Sequence, residues 1–225
     1  MKTRERQLAR DLRAREGLSM KDIARRLGVS QASVSLWVRD IQLTRTQEHA
    51  MMMKAYRRQT AARARTVASR RRQRRAYQEH GRELARKGES FHAAGCMLYW
   101  AEGDKSRNQA RMSNSDPELL RFFVDFLRHY FDVGDDDIRV ACNLFADHVE
   151  RQEEIEQFWL DQLGLTRRSL RKSVVNVYSL SSKRKRMNML PYGTCRVGVS
   201  RTSIVQSIYG AIQEYASFER PEWLD

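Results

Sequence analysis

The chain has 225 residues, 41% of them hydrophobic, and a formal net charge of +14, which is enough for one large or two small domains and makes polyanions its expected partners. No stretch approaches the roughly 18 to 20 apolar residues of a membrane span, and the basic N-terminus is not followed by an apolar leader core, so the expected setting is cytoplasmic, at the nucleoid. Cys96, Cys142 and Cys195 are odd in number and form no CxxC, and the five histidines form no HExxH, so neither a disulfide framework nor a structural metal is expected.

The first element is a charged helix over residues 4–15, with Leu8, Leu12 and Ala9 as its buried side. Residues 19–40, SMKDIARRLGVSQASVSLWVRD, then place each residue type where a helix-turn-helix needs it. Ile23, Ala24 and Leu27 line the inner face of one helix, Gly28 makes the turn, and Val29, Val34 and Trp37 close the core from the next. Ser30 is placed to cap that second helix, because its hydroxyl can accept from the free amides of the first turn. Gln31, Ala32, Ser33, Ser35 and Arg39 lie on or near its polar side. Residues early in a recognition helix reach base edges in the major groove, so double-stranded DNA is the first partner to consider. A three-helix packing module without nucleic acid is the bland alternative. Residues 1–43 form the expected first domain.

Residues 44–89 change character, with Ala, Arg, Gln and Met dominant and no Pro or Gly before Gly81. This is a helical composition. Residues 1–89 carry 24 Lys and Arg against 9 Asp and Glu, whereas residues 90–225 carry 18 against 19, so the whole positive excess sits in the N-terminal part. Residues 49–78 contain no acid, and Arg70, Arg71, Arg72, Arg74 and Arg75 form the densest cluster. The segment reads as an arm that tracks phosphates by counterion release. The alternative is a solvated basic linker, disordered until it meets DNA.

Residues 90–225 read as mixed α and β. Residues 91–103 are an apolar helix and 108–114 a short strand. A helix follows to residue 131, capped by Ser115 or Asp116 with Pro117 in its first turn. Residues 137–145 alternate, with Ile138, Val140, Cys142 and Leu144 on one face. A helix over 150–163, strands over 173–180 and 194–200 around a basic loop at 183–186, and a final amphipathic helix over 202–216 complete the order. No internal repeat is visible.

Gly95-Cys-Met-Leu-Tyr-Trp-Ala-Glu-Gly-Asp-Lys105, followed by Ser113-Asn-Ser-Asp-Pro-Glu-Leu-Leu120, resembles the signature helix and strand-to-helix junction of LAGLIDADG homing endonucleases in their standalone LYWAEG form. The likeness covers about residues 90–216 and implies an α+β fold of α-β-β-α-β-β-α order, here with an extra helix. In that family, small residues let two signature helices pack at a dimer centre, and the acid before the last Gly holds a divalent metal at the scissile phosphate. The resemblance therefore implies a homodimer through the helix from Gly95 to Gly103, and Mg²⁺ on Glu102, a hard oxygen ligand. Met97 departs from the pattern, standing where a small Gly is usual.

The family's curved sheet lies on the major groove. That makes Asn108, Gln109, Arg111, Asn143, Asn176, Tyr178 and Arg196 base-contact candidates by resemblance. Lys172, Lys183 and Lys185 are phosphate ligands, or, for Lys183 and Lys185, the transition-state lysine of an endonuclease. Residues 162–213 hold ten basic residues and no acid, which favours a DNA-facing surface. Glu102 has its own bland reading, a solvated carboxylate near Lys105 and Arg107. Some members keep the scaffold beside a helix-turn-helix as a DNA-binding module without cleavage. The leading expectation is such a sequence-specific regulator, needing no cofactor to bind. A Mg²⁺-dependent endonuclease and an architectural accessory factor are the alternatives.

Overall fold

The structure, a computed structural model, describes residues 2–176 and 190–225. They fall into two compact units, Met1–Ser69 and Arg70–Asp225. No helix among the described residues is long and apolar enough to cross a membrane.

The first unit holds α1 (Thr3–Glu16), α2 (Met20–Leu27), α3 (Gln31–Val38) and the start of α4 (Arg45–Arg86). Gly28, at φ 64°, ends α2 in a left-handed conformation that a side chain would disfavour. Ser19 caps α2 by accepting from the Asp22 amide at 3.1 Å. The core is Ala9, Ile23, Ala24, Val34 and Val38, with Leu12, Leu27, Val29 and Trp37 packed around it. Of the expected core residues of this unit, Leu8 alone turns outward. Leu8 is 43% exposed while Ala9 is fully buried, because three close helices accept only a small side chain at the centre and Leu8 lies about 100° further round α1. Trp37 packs on the core as expected, and Val38, which the sequence reading did not include, joins it as a buried residue. Thr44 and Gln47 cap α4 reciprocally, each main-chain amide donating to the other's side-chain oxygen at 3.0 and 3.3 Å. The Gln47 side-chain Nε2 also donates to the Ala14 carbonyl at 3.0 Å, tying α4 to the end of α1. Asp22 receives Lys54 at 3.2 Å and Arg58 at 3.3 Å, so part of the charge early in α4 is neutralised within this unit.

The second unit is α+β with a small mixed sheet. After the last turns of α4 come α5 (Ser90–Glu102), β1 (Ala110–Asn114), α6 (Pro117–Phe131), β2 (Arg139–Phe145), α7 (Gln152–Leu163), β3 (Val174–Asn176), β4 (Thr194–Val199) and α8 (Thr202–Tyr215). Asp116 caps α6 through the Leu119 amide at 3.1 Å, with Pro117 at its first position. The sheet order is β1-β4-β2-β3. β4 is antiparallel to both β1 and β2, and β3 is parallel to β2. Met112, Val140, Cys142, Leu144, Cys195 and Val197 form its buried face, in one core with apolar residues of α5 to α8.

The order expected from the resemblance, with two strands between the first two helices, is corrected to one. Before β1 only Gly103 bridges to Met112. The intervening carbonyls are taken by side chains instead of a ladder: Tyr99 donates to Asp104 at 2.6 Å, Lys105 to Gly103 at 2.9 Å, and Tyr209 to Ser106 at 2.9 Å.

The end of α4 packs on α8 through two glycines. A Cβ on Gly81 would lie 2.6 Å from the Ser207 carbonyl carbon, and one on Gly210 would lie 2.6 Å from the Gln78 Cα. Backbone meets backbone there. Three glutamines buried beside the crossing satisfy one another: Gln78 donates to Gln206 at 2.8 Å and accepts from Gln213 at 3.2 Å. Gln206 donates onward to the Arg107 and Trp223 carbonyls, both at 3.1 Å. Such a satisfied network specifies one register for the two helices.

Candidate nucleic-acid interface

On α3, the Ser30 hydroxyl accepts from the Ser33 amide at 3.1 Å and lies 2.9 Å from the Ser33 hydroxyl. Both expected contact residues therefore serve the cap, while Gln31, Ala32, Ser35 and Arg39 are exposed. Leu36, which sequence reasoning passed over, joins them at 66% exposure. An apolar side chain on that face is suited to a thymine methyl group. Its one signal in the sequence is a leucine out of phase with Val34 and Val38. The far end of α3 is clamped. Arg10 donates to both Asp40 oxygens at 2.7 and 2.6 Å and to the Trp37 carbonyl at 2.7 Å. The Arg10 hydrogen bonds hold the Asp40 carboxyl down at about 2. This bidentate pair ties the end of α3 to α1.

The outer face of the sheet gathers a second set. Arg111 and Arg139 both stand opposite Gly198, and Arg196 stands opposite Ser113 and Ala141. Small partners leave the guanidinium groups room: a Cβ on Gly198 would meet the Arg111 Cγ at 2.7 Å. Arg111, Arg139, Arg171 and Arg196 line a shallow groove of about 170 Å³. Asn143, on the same face, donates to the Thr194 hydroxyl at 3.3 Å. The structure thus brings Arg111, Asn143 and Arg196 together and adds Arg139 and Arg171. Arg139 was legible as an outward position of an alternating strand. Arg171 carried no such signal, because it lies outside the named strands and is set beside β2 by the single parallel bridge of Leu170 to Val140. Lys172 is exposed beside it. Lys183, Lys185 and Tyr178 lie outside the described residues.

The arginine cluster of α4 divides. Arg74 is half-buried, donating to the Leu224 carbonyl at 2.9 Å and to Asn108 Oδ1 at 3.3 Å. Arg71 pairs with Asp225 at 3.5 Å, and Arg70, Arg72 and Arg75 are exposed.

At the end of α5, Glu102 is exposed and accepts from Asn114 Nδ2 at 3.4 Å. Asp104, next to it, pairs with Arg111 at 2.9 Å. The Lys105 ammonium donates to the Trp100 and Gly103 carbonyls at 2.7 and 2.9 Å, and burial lowers its pKa. No group of three or more His, Cys, Asp or Glu able to hold a metal exists among the described residues. One chain therefore offers Mg²⁺ a single open carboxylate beside carbonyls that a lysine already satisfies, and this set does not fit a resident divalent ion. The glycines of α5 also turn inward. A Cβ on Gly95 would lie 2.6 Å from Phe126 Cε2, and Gly103 sits as close to the Tyr99 ring. Ser90, Ala94 and Ala101 are the small residues α5 leaves exposed, and Ala94 and Ala101, seven apart, share one face.

A family model for helix-turn-helix domains matches residues 10–47. No curated protein and no solved structure matches the chain. The matched span runs from the second half of α1 to the first turn of α4, so this unit carries a helix-turn-helix, a domain that binds double-stranded DNA.

Proposed function

We propose that the chain is a sequence-specific double-stranded DNA-binding protein acting as a transcriptional regulator at the nucleoid. The observation that carries this reading is α3 itself: a capped, clamped helix within the matched residues 10–47, presenting Gln31, Ala32, Ser35, Leu36 and Arg39 outward. Gln and Arg are the side chains that pair bidentately with adenine and guanine edges. In this reading residues 1–43 read bases, the helical segment 44–89 adds phosphate contacts from Arg70, Arg71, Arg72, Arg74 and Arg75, and residues 90–225 serve as a LAGLIDADG-like scaffold that does not cut. Its outer sheet face supplies a second reader through Arg111, Asn143 and Arg196, with Lys172 on phosphate. Two copies joined through the exposed Ala94 and Ala101 face of α5 would double the site length.

One observation favours the alternative of a homing-type endonuclease. Glu102 is exposed at the end of α5, the open carboxylate that this alternative needs.

The second reader is tested with Arg196→Ala on a duplex selected by the full chain. The expected result is a loss of roughly 10- to 100-fold in discrimination, confined to base pairs that α3 variants do not affect. An equal weakening on every sequence would overturn the sheet as a reader.

A further inference from the structure

Between the end of α4 and the opening of α8 lies an open, polar cleft of about 530 Å³. Arg70, Arg74 and Tyr77 line one wall, and Asn108, Ser200 and Thr202 line the other. Its charge is one-sided. Arg74 has Arg70 and Arg107 as repelling neighbours and Asp225 as the acid opposing them. Burial, then those two arginines, push its pKa below the usual guanidinium range. Arg74 is nevertheless held rigidly in the wall by the Leu224 carbonyl and Asn108, with its Nε buried and without a partner among the described residues. A guanidinium fixed in the wall beside two others makes this side of the cleft a surface that attracts an anion.

The cleft is also not isolated. Gln109 and Ser200 line both it and the arginine groove on the sheet. The two therefore adjoin at Gln109 and Ser200, with Arg70 and Arg74 on one side of the join and Arg111 and Arg196 on the other. A free small anion would call for an enclosed pocket; a track that continues across a sheet suits a polymer of phosphates.

We propose that this cleft seats one backbone phosphate of the bound duplex, on Arg70 and Arg74, and so joins the end of α4 and the sheet face into one continuous DNA track. The proposal rests on the DNA-binding reading above. It assigns Arg70 and Arg74 a common phosphate, distinct from whatever Arg72 and Arg75 contact on the other sides of the helix.

The test uses the full chain and its selected duplex, carrying single neutral methylphosphonates walked along each strand. With the wild-type protein, one linkage should weaken binding about tenfold. With Arg70→Gln the penalty at the same linkage should shrink, because Arg74 alone is left to hold that phosphate, and the salt slope should fall by about 0.9. Arg72→Gln should leave the penalty at that linkage intact. Ser200→Asp, which places a carboxylate in the cleft and removes no arginine, should reproduce the Arg70→Gln pattern. Equal penalties at every linkage for wild type and Arg70→Gln would overturn the cleft while leaving DNA binding in place. Failure of the wild-type chain to bind any duplex would overturn both.

Discussion

Gly81→Ala is expected to lower the stability of the Arg70–Asp225 unit by about 3 kcal/mol. In an exposed helix the same change would stabilise by about 1 kcal/mol, because alanine is the better helix former. The sign reverses here because the added methyl group meets main chain: the Ser207 backbone lies where the Cβ would go, and Gly210 is held as closely against Gln78. A flexible side chain could rotate away, but a helix backbone cannot. The two helices would have to separate, and separation would stretch the Gln78–Gln206 bond at 2.8 Å and the Gln213–Gln78 bond at 3.2 Å. Buried amides left without partners add roughly 1 to 3 kcal/mol each. For a unit of this size the midpoint of thermal unfolding should drop by roughly 6 to 12 °C. A midpoint unchanged or raised would show that α4 and α8 do not cross on these glycines.

Replacing Gln31 and Arg39 together with alanine should erase most of the preference for the selected site while sparing general affinity. Each bidentate contact to a base edge is worth about 1 to 3 kcal/mol of discrimination, so the pair should cost on the order of 10²- to 10³-fold in the ratio of specific to non-specific binding. Non-specific affinity should fall little, since one positive charge is lost from a large basic surface. The fold should survive. Both side chains are exposed, the Ser30 cap bonds to Ser33, and the clamp on the end of α3 comes from Arg10 and Asp40. Competition between selected and scrambled duplexes measures the ratio directly. An unchanged ratio would place recognition elsewhere on the chain.

Local signals were legible wherever one residue fixes its own backbone. Gly28 ends α2, Ser30 caps α3, and Asp116 with Pro117 starts α6, each as the sequence implied. The alternation of Ile138, Val140, Cys142 and Leu144 named the buried face of β2 correctly, because a strand has only two faces. What the sequence left open was which surface meets which. A helix periodicity identifies a face and not its partner, so Gly81 read as a break in composition when it marks a crossing with α8. Gly95 similarly suited a contact between two chains, yet it faces Phe126 of its own chain. Arg74 looked equal to its neighbours in a basic run, and its hold on the Leu224 carbonyl joins residues 150 positions apart. Arg139 and Arg171 enter the interface for the same reason, since only the folded sheet sets them beside Arg111 and Arg196.

The measurement that tests the account most directly is selection of bound sequences from a random duplex library by the full chain, followed by incubation of the enriched duplex with protein in the presence and absence of Mg²⁺. The account predicts one enriched motif, bound tightly without metal, with both strands intact under either condition. Enrichment of no motif would contradict sequence-specific recognition, and Mg²⁺-dependent breaks that disappear in Glu102→Gln would contradict the non-cutting scaffold.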